Sequence, residues 1–360
     1  GWMGVLAGFL ILSYYSVIAG WALAYVFRVG SGMMQAADSA GIQKIFSDLV
    51  SDPEKLLAWH TMFLVLTMVV VARGVKQGLE KAVRLLMPLL LILLLILVGY
   101  AMNTGHFGDA VDFLFKPDFS KLTGGAILTA MGHAFFTLSL GMGAIMIYGS
   151  YLPDKTSIAK TSIIISLADT LVALLAGLAI FPIVFSFPDL SPGAGPGLIF
   201  QTLPLAFANM PGGLLFGTLF FILIVVAAWT SSISLIEPAV AWLIENRGMT
   251  RVKAAVLSGI ATWLVGIATL LSFSHWAFDF NFLGAVKHNG VFDILDILTA
   301  NIMLPVGGLL IAIFAGWMMK EQHSKEELAL NRSFAIWQFL IKYVAPVLVI
   351  VVILNLFGVI

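Results

Sequence analysis

Nine apolar stretches, each near or above the ~20 residues that a helix needs to cross a bilayer, dominate the sequence. They fall at Gly1–Val29, Leu56–Val75, Ala82–Met102, Ile127–Tyr151, Ser157–Phe185, Gly213–Glu245, Val252–Ser272, Val291–Met319 and Ile336–Gly358. Inside a hydrocarbon layer every backbone N–H and C=O must be satisfied within the protein, which for segments of this length means helices. An all-α, polytopic membrane protein is therefore the expectation, as one transmembrane domain over residues 1–360. With 60% hydrophobic and 11% charged residues, the composition excludes an ordinary water-soluble domain.

Charge adds the orientation. The 19 basic residues balance the 19 acidic ones, which argues against a nucleic-acid partner. With the connection Gly30–Lys55 taken as outside, the inside connections hold twelve Lys and Arg, from Arg73 to Arg332 and including Lys155, and the outside ones hold six. That bias puts the start of the chain on the cytoplasmic side by the positive-inside rule. The absence of cysteine removes disulfides, thiol nucleophiles and thiolate metal sites.

One span is interrupted. Gly132–Leu152 reads G-H-A-F-F-T-L-S-L-G-M-G-A-I-M-I-Y-G-S-Y-L, with Gly141 and Gly143 at its middle. Each glycine costs a continuous helix roughly 1 kcal/mol against alanine, so the pair predicts a break. At membrane depth a break is tolerated where the freed backbone is buried in protein or lines a cavity. Freed carbonyls and N–H groups, with the hydroxyls of Thr137 and Ser139 beside them, can hold an ion and an anionic group, as in transporters. The alternative is close helix packing through small residues.

Other polar groups sit inside spans. Ile11 and Tyr15, four apart in I-L-S-Y-Y, share one helical face, as a packing stripe would. Asp169 lies within S-L-A-D-T-L-V, where a carboxylate is costly and marks a functional candidate. The string A-A-W-T-S-S-I-S-L-I-E-P (Ala227–Pro238) holds three adjacent hydroxyls, which either bond back to carbonyls one turn earlier or serve as hard oxygen ligands. Glu237 is read as structural, with no partner identifiable. Asp293 and Asp296 share a face near an outer helix end. The polar, acidic connection Gly30–Lys55 shows no chemistry.

Together these strings resemble the neurotransmitter:sodium symporter family, whose bacterial members carry amino acids with sodium; Gly132–Leu152 is similar to its sixth transmembrane helix. Further likeness lies in R-G-V-K-Q-G-L-E-K (Arg73–Lys81), in F-L-F-K-P-D-F (Phe113–Phe119) and in the Pro/Gly-punctuated Ser191–Pro204, similar to an outer loop capping the pathway. The resemblance implies a leucine-transporter-type inverted-repeat fold with nine transmembrane helices present: one complete five-helix repeat and three helices of the other. By the same resemblance, the chain lacks the first two helices and, without them, does not transport. It implies sodium-coupled symport by alternating access, in the inner membrane, of an amino acid that Met142 suggests is apolar or aromatic.

Site roles follow from the same resemblance. Substrate would be lined by Ile11, Tyr15, Phe136, Thr137, Ser139, Met142, Ser231 and Leu235, with the Tyr15 hydroxyl at the carboxylate. Sodium ions would be held by Thr137, Asp169, the Ala227 carbonyl, Thr230 and Ser231. Gates would be formed by Phe136 and Asp296 outside, and by Tyr151 and Glu245 inside. Asp169 would supply the negative charge that chloride supplies in chloride-dependent relatives, so chloride is not expected to be required. His133 stands where the family has an amide. A channel would need rings of polar residues, and an intramembrane hydrolase would need a nucleophile–base pair; neither pattern is present in the sequence.

Overall fold

The computed structural model describes residues 1–35, 37–153, 156–187, 195–330 and 333–358. Lys155, Arg332 and the start of the Ser191–Pro204 loop lie outside the described residues. Among the described residues, eight helical segments are long and apolar enough to cross a membrane. The remaining apolar stretch is the interrupted one, and its two halves are each too short to span alone.

At the centre are two long helices, α1 (Trp2–Gly30) and α10 (Gly213–Arg247), packed along most of their length. Neither is amphipathic in the usual sense, because both are covered on several sides by protein. Against them lie α3 (Pro53–Ala72) and α11 (Arg251–Leu271). Small residues make these approaches possible: on Gly20 of α1, an added side-chain carbon would come within 3.0 Å of the His60 backbone nitrogen. Caps set the helix starts: the Asp52 carboxylate accepts from the Glu54 and Lys55 N–H groups ahead of Pro53, and Thr250 accepts from Lys253.

Outside this centre, α4 (Lys81–Ala101) pairs with α8 (Ile158–Phe185), and α5 (Phe107–Phe115) lies on α8. Both long helices expose many large apolar side chains, Leu85, Ile92, Ile163 and Leu167 among them, as lipid-facing helices do. The interrupted span forms α6 (Gly124–Thr137) and α7 (Ala144–Ser150). Next to it, α12 (Gly290–Asp296) continues through a π-helical stretch, Ile297–Met303, into α13 (Leu304–Ile313), which packs on the last helix, α16 (Ala345–Leu356). A short hairpin, Phe280–Phe282 with Ala285–Lys287, precedes α12.

Two local expectations need correction, and a connection read only as polar and acidic has structure of its own. The connection after α1 is not featureless: Ser39–Val50 forms α2, capped by Asp38 and tied to α1 by an Arg28 Nη1 bond to the Ile45 carbonyl at 2.6 Å. The third span begins earlier than Ala82, because a π-helical turn at Val75–Glu80 runs directly into α4. Glu237 has partners, and a distant arginine is the chief one. The described part of the outer loop is helical through Leu198–Asn209, including α9 (Leu203–Asn209). Its Phe200 is buried against Trp21, Tyr25 and Phe46, and the Tyr25 hydroxyl donates to the Phe200 carbonyl at 2.9 Å.

Candidate transport site

The break is built by backbone sterics. After α6 the chain turns through Ser139 (φ 56°), Gly141 (φ 80°) and Gly143 (φ 81°) before α7 begins. Glycine takes such angles freely; Ser139 does not, and a residue held there in spite of strain is a mark of a functional segment. Three helices hold the break in place. A side-chain carbon on Gly4 of α1 would lie 2.9 Å from the Gly143 nitrogen, one on Gly8 would lie 2.6 Å from the Leu235 carbonyl oxygen of α10, and one on Gly141 would collide with the Leu304 carbonyl. The Gly4-x-x-x-Gly8 spacing was the available sequence signal for this close approach.

The negative end of α6 and the positive end of α7 thus meet at membrane depth, where carbonyls favour a cation and N–H groups an anion. Among the described residues, the N–H groups of Gly141, Met142 and Gly143 donate to no backbone carbonyl. A cavity of about 370 Å³, lined by Gly4, Gly141, Gly143 and Gly307 among others, opens beside the break.

Beside this break, Ile11, Met142 and Leu235 are buried in one apolar cluster, with Tyr15 packed on it. The Tyr15 hydroxyl on α1 lies towards Ser231 of α10. On α10 the Thr230 hydroxyl donates to the Ala227 carbonyl at 2.9 Å. That is the back-bonded arrangement, and it also sets two hard oxygens side by side. Ser231 is exposed, Thr137 and Phe136 are exposed at the end of α6, and Ser139 is half-buried in the turn.

Phe136 belongs to a second group towards the expected outer side. It lines a cavity of about 480 Å³ with His133, Asp296 and Asn301. Asp296, half-buried, faces Tyr14, whose hydroxyl lies 3.1 Å from the Thr299 hydroxyl in the π-helical stretch. Tyr14 was overlooked because it sits off the Ile11–Tyr15 face, and Thr299 because nothing local distinguishes it.

The inner residues do not meet as expected. Tyr151 donates to the Glu237 carboxylate at 2.8 Å, whereas Glu245 stands exposed without an ion-pair partner among the described residues, eight residues further along α10 and so about 12 Å away. Glu237 is fully buried and is gripped by both Arg251 Nη atoms at 2.8 and 2.5 Å, while Arg251 Nε donates to the Val71 carbonyl at 2.9 Å. This joins α7, α10, α11 and α3 at one point. Asp169 stands apart: it is half-buried on α8, which packs on α4 and α5, and it has no hydrogen bond or ion pair among the described residues.

Residues 41–359 match the sodium:neurotransmitter symporter family. The chain belongs to that family. This symporter is 38% identical to the sodium-dependent transporter YhdH of Bacillus subtilis, over all of the chain and 79% of the relative. It is 34% identical to a sodium-dependent transporter of Haemophilus influenzae, over 99% of the chain and 79% of the relative. In structure it resembles MhsT, solved in complex with L-phenylalanine, with a TM-score of 0.89 and 38% identity, covering 99% of the chain and 80% of MhsT. It is a multi-pass sodium-dependent transporter of the cell membrane with the leucine-transporter-type fold, and not an enzyme.

Proposed function

We propose that this symporter carries an apolar or aromatic amino acid into the cell, coupled to sodium, with the substrate lodged at the break between α6 and α7. The geometry of that break carries the proposal: two half-helix ends of opposite polarity face each other, with free N–H groups for a carboxylate and carbonyls for a cation. Ile11, Met142 and Leu235 supply apolar lining, and Met142, unbranched and adaptable, suits side chains of differing size. The likeness to MhsT with phenylalanine points to the same substrate class.

One sodium ion is assigned to the Ala227 carbonyl with the Thr230 and Ser231 hydroxyls, and another to Thr137 at the end of α6, with Asp169 on α8 acting on it as a counter-charge from outside the break. Oxygen ligands of this kind suit a hard cation, and an ionised Asp169 makes chloride unnecessary. In sodium-titrated binding of radiolabelled phenylalanine to the full-length protein, Thr230→Val removes one oxygen at nearly constant volume. The sodium concentration for half-maximal binding should rise about tenfold or more, the worth of a bond to a charged group. Unchanged sodium dependence would leave the hydroxyl as a back-bond only. Competition by leucine, tyrosine and tryptophan, with little by glycine, is expected; strong preference for glycine would overturn the substrate class.

A further inference from the structure

Between α3 and α11 runs a groove of about 450 Å³, away from the break. Its walls are Thr61, Val65 and Val69 on one side and Val256, Ile260 and Trp263 on the other, nearly all apolar surface. Val65, Val69, Val256 and Ile260 are each about half exposed, so the groove faces outward into what would be lipid. It is narrow because Gly259 lets α11 approach Met68: a side-chain carbon there would come within 2.9 Å of Met68 Cγ. At one end it is closed by a bond from Trp263 Nε1 to the Thr61 hydroxyl at 2.8 Å, which leaves no free donor on the floor.

Its length and its mouth say what fits. From Thr61 to Ala72 is eleven residues, about 16 Å of helix, or half of a ~30 Å hydrocarbon core: one leaflet. At the open end the Arg251 bond to the Val71 carbonyl brings the start of α11 to the end of α3. The following π-helical turn folds back there too, since a side-chain carbon on Gly78 would collide with the Val70 carbonyl. Three cations, Arg73, Lys76 and Lys253, surround this end, all exposed and without a salt bridge among the described residues. Arg251 is not one of them, being held by Glu237.

We propose that this groove binds a single anionic phospholipid of the cytoplasmic leaflet, one acyl chain lying between α3 and α11 and the headgroup phosphate between Arg73, Lys76 and Lys253. An apolar slot one leaflet deep with positive charge only at its mouth matches a chain bearing an anionic head. The lipid would bridge α3 and α11, the two helices that the Arg251–Glu237 pair also links to α10.

Trp263 reports occupancy. The protein is placed in phosphatidylcholine vesicles containing a minor fraction of phosphatidylglycerol, with bromine on the distal chain of the phosphatidylglycerol or of an equal amount of phosphatidylcholine. The Trp263 contribution to quenching is the difference between wild type and Trp263→Phe. It should be larger with brominated phosphatidylglycerol, and the preference should fall about fivefold per charge removed in Arg73→Gln, Lys76→Gln and Lys253→Gln. Native mass spectrometry should show retained phosphatidylglycerol lost in the triple variant, whose changes are all on exposed side chains. Equal quenching by both lipids means ordinary boundary lipid and overturns the proposal. Quenching by neither means that protein, a second copy or another segment, fills the groove, and overturns it also.

Discussion

The two ends of the pathway hold their carboxylates in opposite ways. At the inner end Glu237 is buried in a bidentate pair with Arg251, and Tyr151 donates a third bond. At the outer end Asp296 has neutral company, Tyr14, with the like charge of Asp293 nearby and Lys287 the cation felt most. Moving α10 from α11 at the inner end means separating charges in a low-dielectric setting, which is expensive unless each finds a new partner. Moving the outer end apart separates hydroxyls. The inner pair therefore acts as a latch that fastens α10, α11 and α3 to one another, with the end of α7 held to it, among the described residues, by the Tyr151 hydroxyl alone, and the outer end as a door without a bolt.

The largest expected effect comes from breaking the latch on one side only. Glu237→Gln leaves Arg251 with no counter-charge, and removing one partner of a buried pair typically costs about 3–5 kcal/mol. Thermal unfolding of purified protein should show a marked loss, and Glu237→Leu with Arg251→Met should recover most of it, because an apolar pair leaves no charge stranded. A single variant as stable as wild type would show that the pair carries little of the inner contact.

Next comes the hinge between the two ends. Gly141→Ala forces a side chain into a left-handed conformation and against the Leu304 carbonyl, at a cost of about 1–3 kcal/mol for the backbone alone. Gly132→Ala, in the same span with nothing near the added carbon, should be neutral or slightly stabilising. Equal behaviour of the two variants would mean that the break is not fixed by Gly141.

This contrast between the two glycines marks what the sequence could convey. The glycine pair announced the break, since a helix that must be continuous does not place Gly141 and Gly143 two residues apart. The nine apolar stretches announced the spans for an equally local reason. Partners distant in sequence were not legible: Glu237 and Arg251 lie in separate spans, as do Tyr14 and Thr299, and no periodicity within a helix says which neighbour it will face. Glu245 was placed at the gate and Glu237 read as structural, while the geometry joins Tyr151 to Glu237. The helix Ser39–Val50 was missed because it is too short and polar to span, although Ile42, Ile45, Phe46 and Leu49 recur at helical spacing and pack on the core.

At the outer end the effects should be smaller. Tyr14→Phe deletes one hydroxyl, and Thr299 keeps a bond to the Leu295 carbonyl at 2.8 Å, so about 0.5–1.5 kcal/mol is at stake. Its double variant with Asp296→Asn should cost scarcely more in unfolding than Tyr14→Phe alone. A loss as large as that of Glu237→Gln would remove the distinction between the two ends.

Asp169 is a third carboxylate at membrane depth and differs from both, having neither an ion pair nor a hydrogen bond among the described residues. Because α8 is exposed along most of its length and nothing is left unpaired by the change, Asp169→Ser should alter unfolding by no more than about 0.5 kcal/mol. Its effect belongs to transport. On the function proposed above, sodium and a zwitterion would bring net positive charge into a low-dielectric site, where an uncompensated charge is costly, and the Asp169 carboxylate would offset it. In the full-length protein, wild-type uptake driven by sodium should persist when chloride is replaced by gluconate, and Asp169→Ser should either depend on chloride or lose most of its uptake. Wild-type uptake that requires chloride, or normal chloride-free uptake by Asp169→Ser, would show that the carboxylate does not balance the sodium charge.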